Sequence, residues 1–183
     1  MTSSVRIANA SLLPGRPGPE AGFAAPYEML GACHDKVQRM LDLLERLQAH
    51  LREHGPDSQA VQAARDVMRY FDLAAPLHHE DEERHVFPLL MQSGNPAWMA
   101  LAGRLQREHR DMAPAWAGLR QQLEQVAAGQ GRALEVQVFS RLYRAHLQAE
   151  DEVAYPAACQ LGSEASRAEM SRDMMRRRGL RQT

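Results

Sequence analysis

Lysine is almost absent from this chain of 183 residues: Lys36 stands alone, and arginine carries nearly all the positive charge. With 22 basic against 23 acidic side chains the formal net charge is −1. That balance excludes a field strong enough to hold nucleic acid along the whole surface. Aromatic residues make up only 5% of the chain and β-branched residues are sparse, whereas the helix formers Ala, Leu, Gln, Glu and Arg abound. The expected class is all-α. Two cysteines, Cys33 and Cys159, cannot make a disulfide framework and read as buried small hydrophobes in a reducing compartment. No apolar run approaches the ~20 residues of a membrane span, and Met1 to Pro19 lacks the continuous apolar core of a secretory signal. A cytoplasmic protein with no membrane or nucleic-acid partner is expected.

What the chain does contain is helical periodicity with clear punctuation. Pro26 opens a first helix whose stripe runs through Leu30, Cys33, Val37, Leu41, Leu44, Leu47 and Leu51 to Gly55-Pro56. Asp57 or Ser58 can cap the second, which carries Ala64, Val67, Met68, Phe71 and Ala75, then Val86, Leu89 and Leu90; Pro76 is expected to kink it. Ser93-Gly94-Asn95-Pro96 separates it from a third stripe, Trp98 to Val126. Gly129-Gln130-Gly131 precedes a fourth: Phe139, Leu142, His146, Glu150, Val153, Ala157. Four such helices with short turns favour an up-down-up-down four-helix bundle over residues 26–161. Residues 1–25 read as an extended N-terminal arm, and 162–183 as a short, basic, solvated C-terminal segment with a short helix.

One pattern occurs twice: His-x3-Glu-acid-x3-aromatic-Pro, from His78 through Glu82, Glu83 and Phe87 to Pro88, and from His146 through Glu150, Asp151 and Tyr155 to Pro156. Residues four apart share a helix face, so each copy presents an imidazole and a carboxylate together. His34 and His109 interrupt the inner stripes of the first and third helices in the same way. The second-helix stripe and the repeat both select His78 and Glu82, with His79 and Glu83 as the alternative register. At ~1.5 Å per residue, His34 and His109 lie about 30 Å from the far ends of the first and third helices, His78 and Glu82 roughly 30–36 Å from the start of the second, and His146 and Glu150 about 21–27 Å along the fourth. All six therefore fall in one layer, near the end where the first and third helices begin.

A lone core histidine is ordinarily satisfied by a carbonyl or water, and a lone acidic run by solvent. Four histidines and two glutamates at one depth would bury charge at a cost of several kcal/mol unless paired or metal-bound. Imidazole and carboxylate donors without thiolate suit iron, manganese or zinc, and six donors are too many for one structural zinc. Two ions bridged by Glu82 and Glu150 fit better. Of about twelve positions on two six-coordinate ions, these side chains fill about eight, leaving about four for an oxo or hydroxo bridge, water or an outside ligand. Glu83, Asp151, Glu108, His79, His85 and Tyr143 are candidates for holding or tuning the donors.

These residues resemble the hemerythrin-like HHE cation-binding domains. The likeness covers roughly 26–161 and rests on Ala32-Cys33-His34-Asp35, the two repeat segments and Glu108-His109. It implies two iron ions held by His34, His78, Glu82, His109, His146 and Glu150, and a small ligand: O2, NO or peroxide. The arrangement is also similar to the di-iron domain of proteins implicated in repairing damaged iron centres under nitrosative stress. Oxygen-carrying hemerythrins place a further histidine one turn from another on the third helix. Leu105 and Ala113 flank His109 here, which counts against dedicated O2 carriage, and Met1 to Ala25 lacks the cysteine-bearing domain of the repair proteins. The leading expectation is a module that binds or senses O2, NO or reactive oxygen species. A di-iron peroxidase, catalase or oxidase, and iron storage or delivery, are the alternatives.

Overall fold

The structure, a computed structural model, describes residues 22–180; the expected N-terminal arm lies outside them except for Gly22 to Ala25. Among the described residues the architecture is helical, with no strand. Pro26 starts α1 (Pro26–His54) at a position where its missing N–H is not needed. Gly55, at φ 74°, ends it by donating its N–H to the Leu51 carbonyl. Asp57, not Ser58, caps α2 (Ser58–His85), its Oδ1 accepting from the Ala60 N–H at 2.9 Å. The chain breaks at Val86 and restarts as α3 (Phe87–Met91), with Pro88 in its first turn. Asn95 caps α4 (Pro96–Ala127). Next come α5 (Gln137–Ala149), a π-helical turn (Glu150–Ala154), α6 (Tyr155–Leu161) and α7 (Glu164–Arg177).

α1, α2, α4 and α5 form the expected ring, each packed against two neighbours. Two apolar clusters fill it. The larger joins Leu41, Leu44, Val67, Phe71, Leu123 and Phe139 among others; the smaller joins Leu30, Phe87, Leu90, Leu105, Ala158 and Met174. The buried polar residues lie between them: His34 on α1, His78 and Glu82 on α2, His109 on α4, and His146 and Glu150 on α5 and the π turn. Each cluster buries large side chains completely, at roughly 1.5–3 kcal/mol apiece, and the scaffold on either side of the polar layer is therefore firmly held.

Three expectations need correction. Pro76 does not interrupt α2, which continues through it with the proline exposed; the break in the second stripe falls instead at Val86. Val153 points outward at 39% exposure, while Ala154 and Tyr155 are buried, because the π-helical turn adds a residue to that stretch. Cys159 is exposed and Cys33 only partly covered.

The C-terminal segment is also not a solvated tail. α7, capped by Ser163, buries Met170 and Met174 in the smaller cluster. Its end is pinned by the fully buried Asp81, which accepts from Arg177 and, at 2.7 Å, from Arg178. Asp173 binds His85 at 3.0 Å and the Arg177 Nε at 2.9 Å. A carboxylate as deeply buried as Asp81 requires such partners.

Candidate metal centre

α1 contributes His34, α2 His78 and Glu82, α4 His109, α5 His146, and the π turn Glu150. All six are buried, and both glutamates are wholly enclosed. The six residues singled out from the sequence thus meet in one layer. They form two groups, His34–His78–Glu82–Glu150 and Glu82–His109–His146–Glu150, within each of which one donor atom per residue lies within 4.8 Å of the others. Each group could hold a cation, and both contain the same two carboxylates.

The imidazole Nε2 atoms face inward. That of His34 is 3.3 Å from Glu150 Oε2 and 3.7 Å from Glu82 Oε1. His78 Nε2 lies 3.3 Å from Glu82 Oε1, and His146 Nε2 lies 3.0 Å from Glu150 Oε1. His109 Nε2 is 3.5 Å from Glu82 Oε2 and only 3.0 Å from His146 Nε2.

Three Nδ1 atoms are tied outward to carboxylates: His34 to Asp151 at 2.7 Å, His109 to Glu83 at 2.9 Å and His146 to Glu108 at 2.8 Å. Each tie crosses from one helical segment to another, fixing ring orientation and directing Nε2 inward. The acid that follows each inner glutamate serves the histidine of a neighbouring helix. His79 and Glu83 therefore take other places: Glu83 holds His109, and the His79 ring stacks on the His109 ring at 3.9 Å. Tyr143 packs on Phe71, Phe139 and His79. His85 belongs to the α7 contact instead.

Charge in the layer is self-consistent. Burial pulls the His34 pKa down, but Asp151, Glu150 and Glu82 outweigh it and raise it to about 11. Burial also opposes charge on His146, yet Glu150 first, then Glu82 and Glu108, leave it raised. His78 is lowered to about 3 by burial, reinforced by the neighbouring imidazoles against Glu82. Burial lowers His79 well below its ordinary value. For Glu82, burial works upward, and His78, His109 and His34 overcome it to hold the carboxyl well below the usual range.

The donor set fits a cation on a direct observation. Glu82 Oε2, both Glu150 oxygens and both nitrogens of His78 are buried without a hydrogen-bond partner. Native interiors rarely leave such groups unsatisfied, and four of these five atoms, all but the His78 Nδ1, face the inside of the layer.

Tyr155 was missed as a functional residue, although its aromatic place in the repeat was visible. It is buried, its hydroxyl donates to Glu82 Oε1 and lies 2.8 Å from His34 Nε2, and its ring stacks on His34 at 5.0 Å. The available signal was the one chemical difference between the two repeat copies: tyrosine in one, phenylalanine in the other.

A ring of four helices with a buried, carboxylate-sharing pair of His/Glu groups defines a helical cation-binding domain. The family model for the hemerythrin HHE cation-binding domain matches residues 25–158, and the chain belongs to that family. An uncharacterized protein of Haemophilus influenzae is 32% identical over 134 residues, covering 72% of this chain and 77% of the relative. No helix among the described residues is long and apolar enough to cross a membrane.

Proposed function

We propose that this chain is a non-haem di-iron protein that binds or senses O2, NO or reactive oxygen species at a carboxylate-bridged centre. One observation carries the reading: the two four-residue groups share Glu82 and Glu150. Two carboxylates common to two donor groups are what a bridged pair of cations requires. His34 and His78 would hold one ion, His109 and His146 the other, and the two glutamates would span both. Nitrogen and oxygen donors without thiolate suit iron, with manganese or zinc as competitors. A bound iron pair would supply redox-active, Lewis-acidic positions for a small ligand. The chain's own contribution is to orient the imidazoles through Asp151, Glu83 and Glu108 and to keep the carboxylates away from bulk water.

Metal analysis and an optical spectrum of aerobically purified protein test this. About two irons per chain with ferric charge-transfer absorption are expected, followed by a spectral response of the reduced protein to O2, NO or peroxide. A single zinc, or no metal after iron-replete expression, would sink the reading. Steady-state peroxide decomposition, lost in His109→Ala, would point instead to the enzymatic alternative. Ready exchange of iron with a chelator would point to iron storage, delivery or repair.

A further inference from the structure

The centre has an approximate internal symmetry that follows the repeat. Exchanging α1 with α4 and α2–α3 with α5–α6 pairs His34 with His109, His78 with His146, Glu82 with Glu150, and Glu83 with Asp151. It also pairs the two aromatic positions. Phe87 packs on the His109 ring at 5.4 Å, and Tyr155 packs on the His34 ring at 5.0 Å. Each half of the layer thus has one aromatic ring against one imidazole. Of these two aromatics only Tyr155, on the His34 side, carries a hydroxyl, and that hydroxyl reaches Glu82 Oε1 and His34 Nε2.

The placement depends on the backbone. Each aromatic lies five positions after its inner glutamate, about 140° out of phase on a regular α-helix. In the first copy the break at Val86 resets the register. In the second, the Tyr155 N–H donates to the Glu150 carbonyl, an i to i+5 bond of the π-helical turn, which brings residues five apart onto one side. The phenol is thereby delivered into the layer.

We propose that Tyr155 is a positioning residue that makes the two cation positions unequal, weakening the His34–His78 position relative to the His109–His146 position. The inference rests on the di-metal reading above. The single hydroxyl proton engages the Glu82 Oε1 lone pair that a cation at the first position would use, and the phenol oxygen lies against His34 Nε2. Donating to Glu82 Oε1 makes that oxygen a poorer donor, and the contact with His34 Nε2 must be given up before that nitrogen can bind. Glu82 Oε2, which faces His109, has no such competitor. Phe87 offers the second half ring packing alone.

Anaerobic Fe2+ titration of metal-free protein, with Mössbauer spectra at one and two equivalents, tests the proposal. The wild-type chain is expected to bind in two steps separated by about tenfold or more, with two unlike iron environments. Tyr155→Phe should tighten the weaker step and bring the two together. Phe87→Tyr alone should also narrow the gap, by placing a hydroxyl on both halves. This second variant keeps the question answerable if Tyr155→Phe does not fold. In the Phe87→Tyr/Tyr155→Phe double variant the unequal steps should return. Equal steps in the wild type, or a separation unmoved by either single substitution, would overturn the proposal while leaving the di-metal reading intact. A chain that takes up no Fe2+ would overturn both.

Discussion

At the residue scale, the centre depends on side chains that never face its middle. Asp151, Glu83 and Glu108 are partly exposed, yet each decides where a buried imidazole points. Asp151→Asn, Glu83→Gln or Glu108→Gln should each weaken cation binding about 10–100-fold, read with Fe2+ in competition with a chelator, while far-ultraviolet circular dichroism stays unchanged. Wild-type affinity in all three variants would mean that packing alone orients the rings. The inner residues were legible because a charge on an apolar helical stripe is conspicuous, and His34, His109, His146 and Glu150 interrupt theirs at core spacing. Tyr155 was not, since either aromatic satisfies a buried position and only the three-dimensional register puts a hydroxyl beside Glu82. Asp81 was hidden by its neighbours: within Glu80-Asp81-Glu82-Glu83, nothing local shows that the second acid is enclosed by Arg177 and Arg178.

At the scale of the element, the π-helical turn is the decisive piece. It holds one residue more than an α turn, and Asp151, Glu152 and Val153 form an exposed run across it. Deleting Val153 should be tolerated: Glu150 and the tyrosine become four apart, which keeps them on one face of a regular α-helix. Inserting one alanine after Val153 should turn Tyr155 and α6 by about 100°, with loss of cation binding and a lower melting temperature. Metal content and thermal melts of the two variants decide the matter, and equal damage from both would contradict the register argument. The four long helices, their caps and the bundle topology were readable from periodicity and breakers. An i to i+5 turn has no compositional signature, which is why Val153 looked like a core residue. Pro76 was a plausible cause for the phase jump in the second stripe, yet the chain resets ten residues later, at Val86.

For the whole molecule, the C-terminal helix is part of the stability of the domain. Burial works to raise the Asp173 carboxyl, but His85 and Arg177 prevail and bring it to about 2. A carboxyl depressed on folding stabilises fully above its unfolded value near 3.8, and that contribution fades as the pH falls toward 2. Wild-type protein should therefore exceed Asp173→Asn by on the order of 1 kcal/mol at pH 6, and the gap should shrink to about a third of that at pH 2.5. Urea unfolding of both proteins at the two pH values measures it, and a gap independent of pH would rule the pairing out as a source of stability. This docking was not foreseen because an arginine-rich terminus resembles a solvated one until its buried partner on α2 is known.

The imidazole–carboxylate ties lace the bundle as an incomplete hoop. His34–Asp151 joins α1 to the π turn that follows α5, His146–Glu108 joins α5 to α4, and His109–Glu83 joins α4 to α2. Between α1 and α2 no such tie is made, for the His78 Nδ1 has no hydrogen-bond partner. α7 packs on both of these helices and fastens to α2 from outside through Asp81. The clasp of the hoop is thus made by the last helix of the chain, and a cut near the C-terminus would loosen the seam nearest His34 and His78 before any other.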